Sequence, residues 1–139
     1  MNSRIFFRIA SVLLLLFATL HTFGFRQVDP TWGVEALVTS MRSIHFDIMG
    51  SGRTYWDFFV GFGLFFSVFL VSTAVVTWQL SNLTGEILAR VRGIAWTLVV
   101  CFAAVTMLSL RYAFVFPIVL SFLILFCLTA AAWFATKTN

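Results

Sequence analysis

A chain of 139 residues that is 61% hydrophobic and only 10% charged has too little polar surface for a water-soluble globule, since soluble domains run at roughly 45–50% apolar and about 25% charged. Its net charge of +4 comes from 9 basic and 5 acidic residues scattered along the chain, whereas a nucleic-acid face needs clustered Lys and Arg. Nucleic acid is thereby excluded as a partner, and the expected fold is an all-α integral membrane four-helix bundle forming one transmembrane domain over residues 1–139.

In chain order, the first apolar run covers 5–25 and is interrupted only by Arg8. A helix needs about 20 apolar residues to cross a hydrocarbon core roughly 30 Å thick, so this run suffices. Arg4 and Arg8 followed by an apolar core and Thr22-Phe23-Gly24 also read as a signal peptide, and that alternative stays open. The long run and its aromatic end favour an uncleaved span.

Residues 26–54 form a polar connection carrying Arg26, Asp29, Glu35, Arg42, Asp47 and Arg53. Within it Val34, Leu37, Val38, Met41, Ile44 and Ile48 recur at helical spacing. Asp29-Pro30-Thr31 is a start signal and Gly50-Ser51-Gly52 a stop. The reading is a short amphipathic helix lying on the outer surface or capping the bundle.

The second, third and fourth spans are expected at about 55–80, 93–110 and 113–134. The connection 81–92 is short and basic, with Asn82-Leu83-Thr84-Gly85 as a turn signal and Glu86 and Arg90 as a simple i, i+4 pair. The glycosylation triplet Asn82-Leu83-Thr84 falls on the expected inner face and reads as chance. Arg111-Tyr112 marks a tight turn before the last span, and Pro117 falls in the first turns of that span, where a missing N–H matters least. Cys101 and Cys127 lie inside apolar runs without Cys-x-x-Cys spacing and read as small hydrophobes.

Orientation follows from basic residues flanking the spans. With the N-terminus inside, the inner face carries Arg4, Arg8, Arg90, Arg92 and Lys137, and the outer face Arg26, Arg42, Arg53 and Arg111, offset there by Asp29, Glu35, Asp47 and Asp57. Both termini are therefore expected in the cytoplasm, with the bundle in a bacterial inner membrane.

Ionisable residues inside spans are expensive and are functional candidates by default. His21 lies near the end of the first span and Asp57 at the opening of the second, after Arg53, Tyr55 and Trp56. Arg111 and Tyr112 fall at the same expected depth, so these residues, with Gly61, form a candidate ligand-binding cluster near the outer leaflet. Two readings compete. In one, Tyr55 and Trp56 belong to an interfacial belt, Asp57 favours a helix N-terminus, and Gly61 and Gly63 allow close packing. In the other, Asp57 pairs with Arg53 or Arg111 and exchanges a proton with His21 across a substrate. A bis-His haem is disfavoured because the only other histidine, His45, lies in the connection. His45-Phe46-Asp47 with His21 and Asp57 matches no metal-ligand motif, so no metal is assigned. The sequence identifies no cofactor.

His-Thr-Phe-Gly at 21–24 and Arg-Thr-Tyr-Trp-Asp-Phe-Phe-Val-Gly-Phe-Gly at 53–63 resemble stretches found in a group of small bacterial four-span membrane proteins. The topology is also loosely similar to the DoxX-like family, without matching motif residues. The resemblance implies a compact four-helix fold with a polar site near His21 and Asp57, and it implies no substrate. The chain departs from small multidrug transporters, which carry an acid in mid-span one, and lacks the acidic ladder of sterol isomerases. No Asp or Glu lies at mid-span, which argues against proton-coupled transport. Two functions remain. One is a binding or accessory protein that takes a lipophilic or small ligand, a second copy of the chain or another membrane protein. The alternative is a membrane enzyme using Asp57 and His21 for proton transfer on a lipophilic substrate.

Overall fold

The computed structural model describes residues 3–136, which leaves Lys137 of the basic inner-face set outside the described residues. In chain order the elements are α1 (Ser3–Gly24), a 3-10 turn (Pro30–Trp32), α2 (Glu35–Ser43), β1 (His45–Ile48), β2 (Ser51–Thr54), α3 (Tyr55–Ser81), α4 (Gly85–Arg90), α5 (Arg92–Tyr112) and α6 (Val115–Thr136). Among the described residues, helices α1, α3, α5 and α6 are the four that are long and apolar enough to cross a membrane. At 1.5 Å per residue, the 27 residues of α3 reach about 40 Å, beyond a hydrocarbon core of roughly 30 Å.

The chain divides into two compact units, one running from Ala18 to Phe69 and the other comprising residues up to Phe17 and from Leu70 onward. The larger unit buries Phe7, Leu14, Leu70, Phe102, Ile124 and Leu128, and fills the space between them with Ala and with hydroxyl residues such as Ser11, Thr77, Thr106 and Ser121. Its outer surface is more bulky: Val100, Met107 and Phe126 are all exposed. Small residues set between the large buried ones, with further large apolar side chains outside, suit helices that associate in lipid, where close backbone approach replaces the hydrophobic drive. The Ser11 hydroxyl donates to the Ala74 carbonyl at 2.8 Å and so ties α1 to α3. Thr106 and Ser121 instead donate back to Phe102 and Ile118 on their own helices, at 2.7 and 2.9 Å. The Thr77 hydroxyl is fully buried and has no partner among the described residues.

The start of α6 and the connection before α5 differ from the sequence reading. Ala113 is extended, at φ −110° and ψ 176°, so α6 starts at Val115 rather than at residue 113. Residues 81–92 hold the extra helix α4, whose Leu88 is buried. A six-residue helix carries too few apolar positions to register as a periodic pattern.

The smaller unit contains the other correction. The expected amphipathic helix is only nine residues long, Glu35–Ser43, and it is followed by an antiparallel hairpin pairing His45 with Thr54 and Ile48 with Ser51. Ile44 and Ile48 therefore fall outside the helix. Ile44, Phe46 and Ile48 alternate with polar His45 and Asp47, and that period of two belongs to a strand. The hairpin turns on Met49 and Gly50, both with positive φ (54° and 80°), the backbone of a type I′ turn. The Asp47 carboxylate accepts the Gly50 N–H at 2.8 Å and braces that turn. Upstream, Asp29 caps the 3-10 turn, accepting the Thr31 amide and hydroxyl at 2.8 and 2.7 Å.

Candidate functional site

The candidate residues at the start of α3 are placed by a capping box. Thr54 ends β2 and is the residue before α3. Its hydroxyl oxygen accepts the Asp57 N–H at 3.2 Å. In return the Asp57 carboxylate accepts the Thr54 N–H at 2.8 Å and the Thr54 hydroxyl at 2.9 Å. Thr-x-x-Asp here performs the reciprocal satisfaction of helix-end donors usually made by Ser/Thr-x-x-Glu. Thr54 is buried and Asp57 exposed. Arg53 directs one guanidinium nitrogen to the Gly52 carbonyl at 2.7 Å.

Around this cap stands an aromatic layer. The Phe46 ring of β1 packs on Tyr55 at 4.9 Å and on Phe58 at 5.6 Å between centroids. The Arg42 guanidinium of α2 lies 4.2 Å over the Trp56 ring, within the range for attraction between a cation and the ring face. Trp56 in turn meets Phe59 at 5.5 Å. These contacts fasten α2 and the hairpin to the first turns of α3. Trp32, Leu37, Ile44, Ile48 and Met49 remain exposed, Met49 completely so.

His21 occupies a different place. Its Nε2 is 3.1 Å from the Gly63 carbonyl, and since a carbonyl only accepts, Nε2 carries the proton. The half-buried imidazole stacks on Phe25 at 5.0 Å and meets the edge of Phe66 at 4.9 Å. The Gly63 carbonyl also accepts the Ser67 hydroxyl at 3.2 Å, and Ser67 lies 2.8 Å from the Thr22 hydroxyl. This network joins the end of α1 to α3. The Phe25 ring lies directly against Gly63, so a Cβ there would collide with it, whereas a Cβ on Gly61 would meet nothing.

The two proton-transfer candidates therefore hold separate partners. Gly63 is six residues beyond Asp57 on α3, a rise of about 9 Å. Arg111 and Tyr112 end α5 in the larger unit, both exposed, with the Arg111 guanidinium 5.5 Å over the Tyr112 ring. The sequence reading overlooked Thr54, Arg42, Phe46 and Phe25. Thr54 was recoverable from its spacing to Asp57, and Phe46 from the strand alternation. The contacts of Arg42 and Phe25 have no local sequence signal. No protein-family model, curated protein or solved structure matches the chain.

Proposed function

We propose that this chain is a multi-pass helical membrane protein with a binding or accessory role, exercised through the aromatic layer and hairpin built on the start of α3. The observation carrying this reading is that Asp57 engages its carboxylate in the Thr54 cap while His21 donates to the Gly63 carbonyl farther along α3. General acid–base chemistry needs both groups within reach of one substrate atom. Two side chains so engaged serve as scaffold. Arg53, Tyr55 and Trp56, with the exposed Ile48 and Met49, are left as the recognition surface. A rigid apolar and aromatic surface of this kind suits a lipophilic ligand or the apolar face of another membrane protein. Membrane insertion with both termini cytoplasmic, a bacterial inner membrane, and kinship with the DoxX-like proteins belong to the same proposal.

The test is mass spectrometry of lipophilic species co-purifying with the full chain, compared across variants. Met49→Asn and Tyr55→Ala are expected to lower the bound species several-fold. His21→Ala and Asp57→Asn are expected to lower stability and leave the bound species in place. Turnover of a bound lipophilic compound that stops in His21→Ala and Asp57→Asn, with stability unchanged, would replace this reading by the enzyme.

A further inference from the structure

The hairpin that precedes α3 has two unlike faces. Residues paired across a ladder share a face, and successive residues alternate between faces. One face therefore carries Phe46 with Arg53 and Ile48 with Ser51, and the other His45 with Thr54 and Asp47 with Gly52. The acids keep to the second face. There the Asp47 carboxylate is bonded to the Gly50 N–H, and the Asp57 carboxylate to Thr54. The first face presents two apolar side chains, a hydroxyl and one guanidinium, with no acid, and its Ile48 is exposed.

That apolar face continues down α3. Phe46 stacks on Phe58 at 5.6 Å, Phe58 meets Phe62 at 6.3 Å, and Phe62 meets Phe65 at 6.4 Å between centroids. The three α3 rings are exposed, share one flank at i, i+4, i+7 spacing and descend about 10 Å along a helix long and apolar enough to cross a membrane. Phe46 is thus the top ring of a row whose lower rings face acyl chains when α3 spans a bilayer. The 27 residues of α3 reach about 40 Å, and a bilayer with its headgroup layers measures about 40–45 Å. The first turn of such a span stands within a headgroup layer, the level that Tyr55 and Trp56 favour. Thr54 runs into Tyr55 without a linker, so the hairpin begins at that level.

We infer that the Phe46 face of the hairpin is immersed in the headgroup layer of the leaflet around α3, while the His45 face meets water. Ile48 rests against the upper acyl segments, and the Arg53 guanidinium binds lipid phosphate. One of the five N–H donors of Arg53 goes to the Gly52 carbonyl, and guanidinium groups recognise phosphate oxygens by charge and geometry. The inference rests on the recognition role proposed for the hairpin and names its ligand as the lipid surface of the bilayer itself.

The experiment uses the full chain lacking Cys101 and Cys127, in vesicles of phosphatidylcholine and phosphatidylglycerol. Nitroxide labels are placed singly through Ile48→Cys and Ser51→Cys on one face, and His45→Cys and Gly52→Cys on the other. Electron paramagnetic resonance then compares collision with oxygen, which concentrates in lipid, and with a water-soluble nickel chelate. The oxygen-to-nickel ratio is expected to be several-fold higher at 48 and 51 than at 45 and 52. Adding Arg53→Gln is expected to lower the ratio at 48 several-fold, and an unchanged ratio overturns the phosphate contact. Similar ratios on both faces overturn the immersion. So does poor access of both reagents at 48 and 51, which means that a protein covers the face. A label through Phe62→Cys separates the two claims. Nickel access at 48 with oxygen access at 62 sinks this inference alone, and nickel access at both sinks the membrane reading with it.

Discussion

Thr54 and Asp57 exchange hydrogen bonds in both directions, so removing either side chain leaves donors at the start of α3 unsatisfied. Thr54→Ala and Asp57→Ala should each destabilise the protein by about 1 kcal/mol. The double variant should cost clearly less than their sum, because the second substitution removes a bond already lost. Thermal unfolding of the set in detergent measures this, and strict additivity would mean that the box does not act as a unit. Gly63→Ala drives a methyl into the Phe25 ring and should cost about 1–3 kcal/mol. Phe25→Ala in the same chain should relieve much of that loss, whereas Gly61→Ala meets open space and should be mild. At Asp29, the Thr31 hydroxyl and then its amide hold the carboxyl below the ordinary aspartate range. A depressed folded pKa contributes stability above the unfolded pKa and loses it as pH falls through the folded one. The 3-10 turn should therefore loosen only in strong acid. NMR titration of the Thr31 amide follows this, with a midpoint below that of free aspartate, and Asp29→Asn should abolish the transition.

At the scale of elements, the long helices were legible because an uninterrupted apolar run of this length has few structural outcomes. The connection 26–54 was less so, because two periods overlap in it. Val34, Leu37, Val38 and Met41 fit a helix, and Ile44 and Ile48 extend that spacing by coincidence while also alternating as a strand. The turn gave no warning either, since Met-Gly stands where Asn-Gly would mark a type I′ hairpin. Of the candidate site, the cap was written locally as Thr54-x-x-Asp57. The partner of His21 was not, because which α3 carbonyl it meets depends on how two helices distant in sequence pack. Met49 holds φ 54°, a conformation costing a non-glycine residue roughly 1–2 kcal/mol. Met49→Asn should therefore stabilise the hairpin while removing its apolar tip, and hydrogen exchange of the β1 and β2 amides would register the gain. Slower exchange together with weaker ligand retention would separate the fold from recognition at one position. In α3 the unpartnered Thr77 hydroxyl makes Thr77→Val, of nearly the same shape, neutral or stabilising by about 1 kcal/mol.

At the scale of the whole molecule, the described residues hold four helices long and apolar enough to cross a membrane, with large apolar side chains such as Val100, Met107 and Phe126 exposed. Single cysteines placed at Met49 and at Glu86, in a chain lacking Cys101 and Cys127, should react with an impermeant maleimide from opposite sides of sealed vesicles. Labelling of both from one side would break the four-span topology. The hairpin also has a mechanical consequence. Thr54 pairs with His45 in the sheet and caps α3 in the same stroke, and Tyr55 follows with no intervening linker. The ribbon thus runs into the helix as a handle runs into its shaft. A sideways force on Met49 would reach the first turn of α3 directly, with no linker residue to absorb it.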